Sequence, residues 1–157
     1  MNLARAIHFD DSDRNVYHVA ARTGEWCIPG GFEFSNWTEG DLTGKARQAF
    51  ANGWLGLETF GRVTFVAVTR IEAPERAALI EALADHFVAM HGAPDRDAAY
   101  PVATQEVDAM IDLCDGVDAN RVMTVARDLG PAGVTETFRI LAPRDADLAQ
   151  VAVHGDE

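Results

Sequence analysis

The stretch GEWCIPGGFEFSNWTEGDLTGKARQAFANGWLGLETFG, residues 24–61, has the most unusual composition in the chain. It holds all three tryptophans, the only lysine, eight of the thirteen glycines and one of the two cysteines. Glycine lets the backbone turn sharply and approach other groups closely, whereas tryptophan contributes a large apolar area and one polar N–H. This combination predicts a shaped surface around which the rest of the chain is arranged.

The length and charge of the chain restrict its class. A chain of 157 residues with 48% apolar residues fits one globular domain with a real core. A formal charge of −12, with no local arginine cluster, repels phosphate backbones and argues against a nucleic-acid partner. The first residues lack a signal pattern, and no apolar run is long enough to span a bilayer, so we expect a cytoplasmic protein without membrane contact.

The hydrophobic periodicity predicts an α+β fold. A short helix should follow Thr38 and Asp41, which have capping-box-like spacing, and should end at Asn52 and Gly53. Two longer helices should run from Pro74 to Gly92 and from about Pro101 to Gly116. Strands are predicted at residues 3–9, 16–21, 25–28, 62–71, 121–129 and 134–141, the last two as a hairpin.

Because the strands and helices are largely segregated, we expect one domain, residues 1–142, followed by a weakly ordered tail, residues 143–157. Its sheet should be largely antiparallel with about five to six strands, two main helices on one face and one short helix. The uncovered sheet face would then need a partner, and we expect a homodimer.

Two motifs suggest cofactors but fail on spacing. Gly40 and Gly44 before Lys45 imitate a nucleotide-binding loop, yet only three residues separate the glycines and no hydroxyl residue follows the lysine. His86 and His91 are five residues apart, about 140° around a helix, so they should not share a face as an i, i+4 metal pair does. We therefore expect neither a cofactor nor a metal site.

Cys27 is the candidate nucleophile, because it precedes a rigid Pro-Gly-Gly turn. A catalytic cysteine needs a nearby base or cation that lowers its pKa, and the sequence places no histidine beside it. A buried structural cysteine is the favoured interpretation for Cys27 and also for Cys114, and their separation without CxxC spacing predicts reduced thiols.

Positive charge beside the aromatic residues is the most interesting polar feature. Asp41 and Lys45 form an ordinary i, i+4 pair on a helix, which is the simpler interpretation. The alternative is that Lys45 and Arg47 attract a small anionic ligand to a pocket lined by aromatic rings. The candidate binding surface comprises Trp26, Phe32, Trp37, Lys45, Arg47 and Trp54.

Several segments resemble a family of short bacterial proteins that share a domain of unknown function. The resemblance extends over about residues 3–142 and implies a bacterial cytoplasmic protein, without implying an activity or catalytic residues. Its segments are Trp26, Pro29-Gly30-Gly31-Phe32, Leu42-Thr43-Gly44-Lys45 and Asn52-Gly53-Trp54-Leu55-Gly56.

The sequence leaves two main functions open. The favoured hypothesis is a non-catalytic accessory or protein-interaction module that forms a homodimer, because aromatic residues dominate interface hot spots. The alternative is a small-molecule-binding protein or enzyme whose aromatic pocket is polarised by Lys45 and Arg47. A cysteine-dependent hydrolase or redox enzyme is a third option, and it requires an exposed Cys27 with a histidine in hydrogen-bond reach.

Overall fold

A seven-stranded antiparallel sheet organises residues 1–141, which are the residues that the computed structural model describes. The strands lie in the order β4-β3-β2-β1-β5-β6-β7. Their bounds are β1 Asn2–Ile7, β2 Trp26–Ile28, β3 Trp54–Gly56, β4 Arg62–Val63, β5 Phe65–Arg70, β6 Val122–Gly130 and β7 Gly133–Ile140.

Within residues 1–141 there are four α-helices: α1 Asp13–Val16, α2 Gly44–Asn52, α3 Ala73–Met90 and α4 Arg96–Cys114. Helices α3 and α4 pack against each other, α4 also packs against β1 and β2, and α2 packs against β6. Two 3₁₀ turns, Gly31–Phe34 and Glu39–Asp41, connect β2 to α2. The α+β class and the antiparallel sheet are confirmed, with seven strands where about five to six were expected.

Small side chains allow α4 to approach the sheet closely. Ala4 and Ala6 of β1 and Ala99 and Ala103 of α4 are all buried in one hydrophobic cluster. The sheet also curls, since Trp54 of β3 stacks on Phe138 of β7 with ring centroids 5.7 Å apart. The edge strand β7 is thereby joined by side-chain packing to β3, which lies next to the opposite edge of the sheet.

The strand predicted at residues 16–21 is wrong. The Asp-rich segment before it forms a local turn, in which the Asp10 carboxylate accepts a hydrogen bond from the Ser12 N–H, and α1 follows at once. Only Ala20 makes a strand-like contact, a parallel bridge to Arg62. Tyr17 instead points into the core, with its hydroxyl 2.8 Å from Thr64 Oγ1.

Three further boundaries differ from prediction. The strand expected at residues 62–71 is interrupted at Thr64, so that β4 pairs with β3 and β5 with β1. Helix α4 begins at Arg96, where the Asp95 carboxylate accepts from the Ala98 N–H at 2.7 Å, and Pro101 lies within its early turns. The unpredicted strand β3 is three residues long and fully buried, so it shows no alternating pattern.

The long helix and the final hairpin are confirmed as α3 and β6–β7. The capping box of Thr38 and Asp41 forms, but it caps the second 3₁₀ turn and α2 starts later, at Gly44. In the part of the chain that the structure describes, no helix is both long and apolar enough to cross a membrane. The predicted tail, residues 143–157, lies outside the described residues.

Candidate functional site

Arg62 lies buried beneath the turn that follows β2. Its guanidinium donates to the carbonyl oxygens of Pro29 at 3.1 Å, Gly30 at 3.0 Å and Gly53 at 3.1 Å, and it forms an ion pair with Glu33. Burial lowers the pKa of Arg62 to about 10. Because this value is still well above neutral pH, the side chain remains charged. The charge is compensated locally by backbone dipoles and one carboxylate.

Arg127 of β6 reaches the same region from the other side. Its guanidinium donates to the carbonyl oxygens of Phe50 at 3.0 Å and Gly53 at 2.9 Å, to that of Pro29, and to the Glu136 carboxylate at 2.7 Å. Burial likewise lowers the pKa of Arg127. Arg62 and Arg127 thus share two carbonyl acceptors, and we call them the arginine pair.

The ring of Phe34 packs against both members of the arginine pair. The guanidinium carbons of Arg62 and Arg127 lie 4.6 Å and 5.1 Å from its centroid. Phe34 belongs to the first 3₁₀ turn, so the arginine pair holds this turn by its preceding carbonyls and by one of its side chains. The turn is consequently fixed relative to the sheet.

Glycine is required where this turn begins. Gly30 has φ +67°, and a Cβ at that position would lie 2.5 Å from Leu55 Cβ. The turn then directs its next three side chains to different places. Phe32 lines a groove, Glu33 meets Arg62 and His91, and Phe34 packs under the arginine pair.

A groove of about 700 Å³ lies between α4 and β7, and we call it the β7 groove. Its apolar lining includes Phe32, Leu113 and Phe138. Three carboxylates line it as well: Glu106, Asp112 and Glu136. Burial, and secondarily the charge of Glu136, raises the pKa of Glu106.

A second hollow, of about 440 Å³, lies on the other side of Phe32 and Ser35, which line both spaces. It is bordered by Glu33, Phe87 and His91, and we call it the His91 hollow. The β7 groove and the His91 hollow are therefore neighbours separated by the first 3₁₀ turn.

Glu33, His86 and His91 come together beside the His91 hollow. One donor atom from each lies within 4.8 Å of the others, and His91 Nε2 is 3.6 Å from Glu33 Oε2. The ring of His86 stacks on Phe60 with centroids 3.7 Å apart and planes 3° apart. Burial, and then the neighbouring His91, lowers the pKa of His86, which keeps this imidazole neutral near pH 7.

The helical-wheel argument that separated His86 from His91 fails at the end of α3. His91 is the C-cap residue, with φ −125° and ψ 18°, and so lies beyond the regular helix. Its ring turns back to within 5.0 Å of the His86 ring, measured between centroids. The sequence spacing alone contained no signal for this contact.

The six residues of the predicted binding surface do not line one cavity in the described structure. Trp54 is fully buried, because its ring is used in the stack with Phe138. Trp26 lies under the Arg5 guanidinium, at 4.1 Å, and Trp37 packs edge-on against Phe34. Only Phe32 borders the two neighbouring hollows.

The two predicted cationic residues lie apart from those hollows. Lys45 and Arg47 are both exposed on α2, and Arg47 lines a separate, smaller hollow with Glu39 and Asp128. Sequence reasoning missed the carboxylates of the β7 groove. Glu106 and Glu136 are thirty residues apart, and no local pattern showed that α4 would lie beside β7.

Cys27 does not meet the requirements of a nucleophile. Its side chain is fully buried, and its Sγ donates to the Glu25 carbonyl oxygen at 3.4 Å. Burial, reinforced by the charge of Glu25, raises the pKa of the Cys27 thiol. The hypothesis of a cysteine-dependent enzyme, which needs an exposed thiolate, is contradicted. Cys114 is also buried.

The chain belongs to a family of unknown function (DUF6505), whose model matches residues 1–157. The resemblance to a family with a domain of unknown function is thereby confirmed, and the match extends beyond residues 3–142 over residues 1–157, whereas the bacterial and cytoplasmic origin stays a prediction. No curated protein and no solved structure matches the chain significantly.

We predict that Arg127→Met destabilises the protein by about 3–5 kcal/mol, because it leaves several buried carbonyl oxygens and Glu136 without their donor. Urea denaturation followed by circular dichroism measures the change. Arg70→Gln is the matched control. Arg70 is 76% exposed in a surface ion pair, and its loss should cost less than about 1 kcal/mol. Equal effects of the two substitutions would contradict a structural role for the arginine pair.

We predict that neither Cys27 nor Cys114 reacts with a disulfide reagent such as DTNB at pH 8 while the protein is folded. Both thiols are buried, and burial raises the pKa of both. In guanidinium chloride, both should react. Rapid labelling of one thiol in the native protein would restore the cysteine hypothesis.

Proposed function

We propose that this protein is a binding module whose β7 groove takes a small organic cation with an apolar body. The observation that supports this proposal is the lining of the groove, which combines aromatic and aliphatic walls with three carboxylates. Open concave sites with apolar walls and a few convergent polar groups are typical of small-molecule binding.

The charge of the groove supports a cationic ligand. Glu136 is held by Arg127, whose charge it neutralises, so Glu106 and Asp112 supply the net negative charge. The alternative drawn from the sequence is a small anionic ligand beside Lys45 and Arg47. Those two residues lie outside the β7 groove, and its carboxylates would repel an anion.

The position of the groove supports selective binding. Phe32 is held by the first 3₁₀ turn, which the arginine pair fixes, and Phe138 is held by its stack on Trp54. Rings that are already fixed lose little conformational entropy when a ligand packs on them. The groove walls are therefore preorganised.

We predict that dansylcadaverine, an aromatic amine, binds more tightly than dansylglycine, its anionic counterpart. Fluorescence titration measures both affinities. Glu106→Gln should weaken dansylcadaverine binding about tenfold, a loss of about 1.4 kcal/mol. Glu81→Gln, on the exposed surface of α3, is the charge-matched control and should leave the affinity unchanged. Stronger binding of the anion would contradict the proposal.

The same titration should be pH-dependent. The carboxylate of Glu106 loses its charge as the pH falls through its pKa, and burial raises that pKa. As the pH is lowered, binding of the cation should therefore begin to weaken at a higher pH than it would if Glu106 were an ordinary exposed glutamate. Glu106→Gln should remove this part of the pH dependence.

Self-association through β7 is a second candidate, in line with the expected homodimer and interaction module. Among the described strands β7 pairs with β6 alone, so its outer edge is a template for another strand. Gly130 and Gly133 close a two-residue hairpin. The Leu141 N–H donates to the Val122 carbonyl oxygen, which shows that this amide points towards β6. By alternation, the N–H groups of Val134, Glu136 and Phe138 point away from β6.

We predict that, if a second copy pairs with this edge, light scattering gives a mass of 34.0 kDa, twice 17.0 kDa. Hydrogen exchange at the outward amides should then be slow, because they donate across the dimer. The inward amides of Thr135 and Thr137 serve as internal references, protected in either state. A monomer at all concentrations with fast-exchanging outward amides would exclude this interface.

A further inference from the structure

The buried imidazole nitrogen of His86 has no hydrogen-bond partner among the described residues. A buried polar atom in this condition is unfavourable unless something binds it. The parallel stack on Phe60 fixes the ring plane, so the nitrogen cannot readily turn towards another acceptor or donor. The stack explains where the ring lies and leaves the unpartnered nitrogen unexplained.

His91 is held in a complementary position. Its ring contacts Phe32 and Phe87 edge-on, with centroids 5.3 Å and 6.0 Å apart. These contacts fix an imidazole next to His86 at the rim of the His91 hollow. Two imidazoles from one helix end thus lie side by side, with ring centroids 5.0 Å apart, and His91 borders the hollow.

Glu33 supplies the third donor. Its Oε1 is bound by Arg62, which is itself anchored by three backbone carbonyls. Its Oε2 is left facing His91 Nε2 at 3.6 Å. An outer hydrogen bond that orients a carboxylate ligand is the usual support of a metal site.

We propose that Glu33, His86 and His91 form a binding site for Zn²⁺ or a similar divalent transition-metal ion. The three donor atoms lie within 4.8 Å of one another, whereas ligands around a tetrahedral zinc are about 3.3 Å apart. Because the Phe60 stack holds the His86 ring, closing this difference requires a shift of Glu33 and of the exposed helix end at His91. Two imidazoles and one carboxylate suit transition metals better than Mg²⁺ or Ca²⁺, which prefer oxygen ligands.

The site would be open on one side. Glu33 and His91 border the His91 hollow, so solvent or a small molecule can reach the remaining coordination position. Three protein ligands with one open position is the arrangement of reactive rather than purely structural zinc sites. The residues of this metal site and the carboxylates of the β7 groove are different, so metal binding is independent of cation binding in that groove.

The test is isothermal titration of the chelator-stripped, full-length protein with Zn²⁺. We expect one ion per chain, and His86→Phe and His91→Phe should each weaken binding at least about tenfold. Phenylalanine retains the ring contacts and removes the nitrogen donors. His18→Phe, at an exposed histidine outside the cluster, is the matched control and should bind as the unsubstituted protein does.

Circular dichroism and a cooperative melt establish that each variant is folded. If His86→Phe does not fold, His91→Phe still tests the metal site. His91 lies at a partly exposed helix end, so its substitution should leave the fold intact. Long-range ¹H–¹⁵N spectra should also show the nitrogens of His86 and His91 shifting when Zn²⁺ is added. Absent binding, or binding unchanged in His91→Phe, would overturn the proposal.

Discussion

Two buried guanidinium groups hold the backbone of this protein at the point where β2, α2 and β3 meet. Arg62 and Arg127 both donate to the carbonyl oxygens of Pro29 and Gly53. Those carbonyls belong to segments without regular strand or helix partners, so the arginines supply the hydrogen bonds that secondary structure would otherwise provide. Burying two cations is unfavourable in itself, and it is tolerated because Glu33, Glu136 and the carbonyl dipoles compensate the charge.

The position of the first 3₁₀ turn follows from this anchoring. Once the preceding carbonyls are fixed, Phe32, Glu33 and Phe34 leave the backbone in set directions. Phe34 packs back on the arginine pair, Glu33 balances Arg62 and faces His91, and Phe32 separates the β7 groove from the His91 hollow. One short turn thereby connects a buried structural feature to both surfaces for which we propose a function.

Local sequence patterns were sufficient for the elements that depend on nearby residues. Helix α3, the β6–β7 hairpin and the turn at Pro29 are set within a few residues of the chain. The long-range contacts were not available to such reasoning. Arg62 and Arg127 are sixty-five residues apart, and an arginine in a strand pattern ordinarily indicates exposure.

Residues 24–61 do shape a surface, but the residues that reach it differ from those predicted. Trp54 serves the core and Trp26 supports Arg5, whereas the smaller Phe32 reaches the hollows. Trp54 buries a large apolar ring in the core, while its indole nitrogen has no hydrogen-bond partner among the described residues. The lysine and arginine of α2 remain in solvent, where hydration stabilises them.

Glu33 connects the arginine pair to the proposed metal site. Its carboxylate is shared between Arg62, which fixes the fold, and the space beside His86 and His91. An ion bound there would draw on the same negative charge that compensates Arg62. The arginine would keep its three carbonyl acceptors, so the fold does not depend on Glu33 alone. This redundancy leaves one oxygen of Glu33 available for binding while the turn that carries it stays in place.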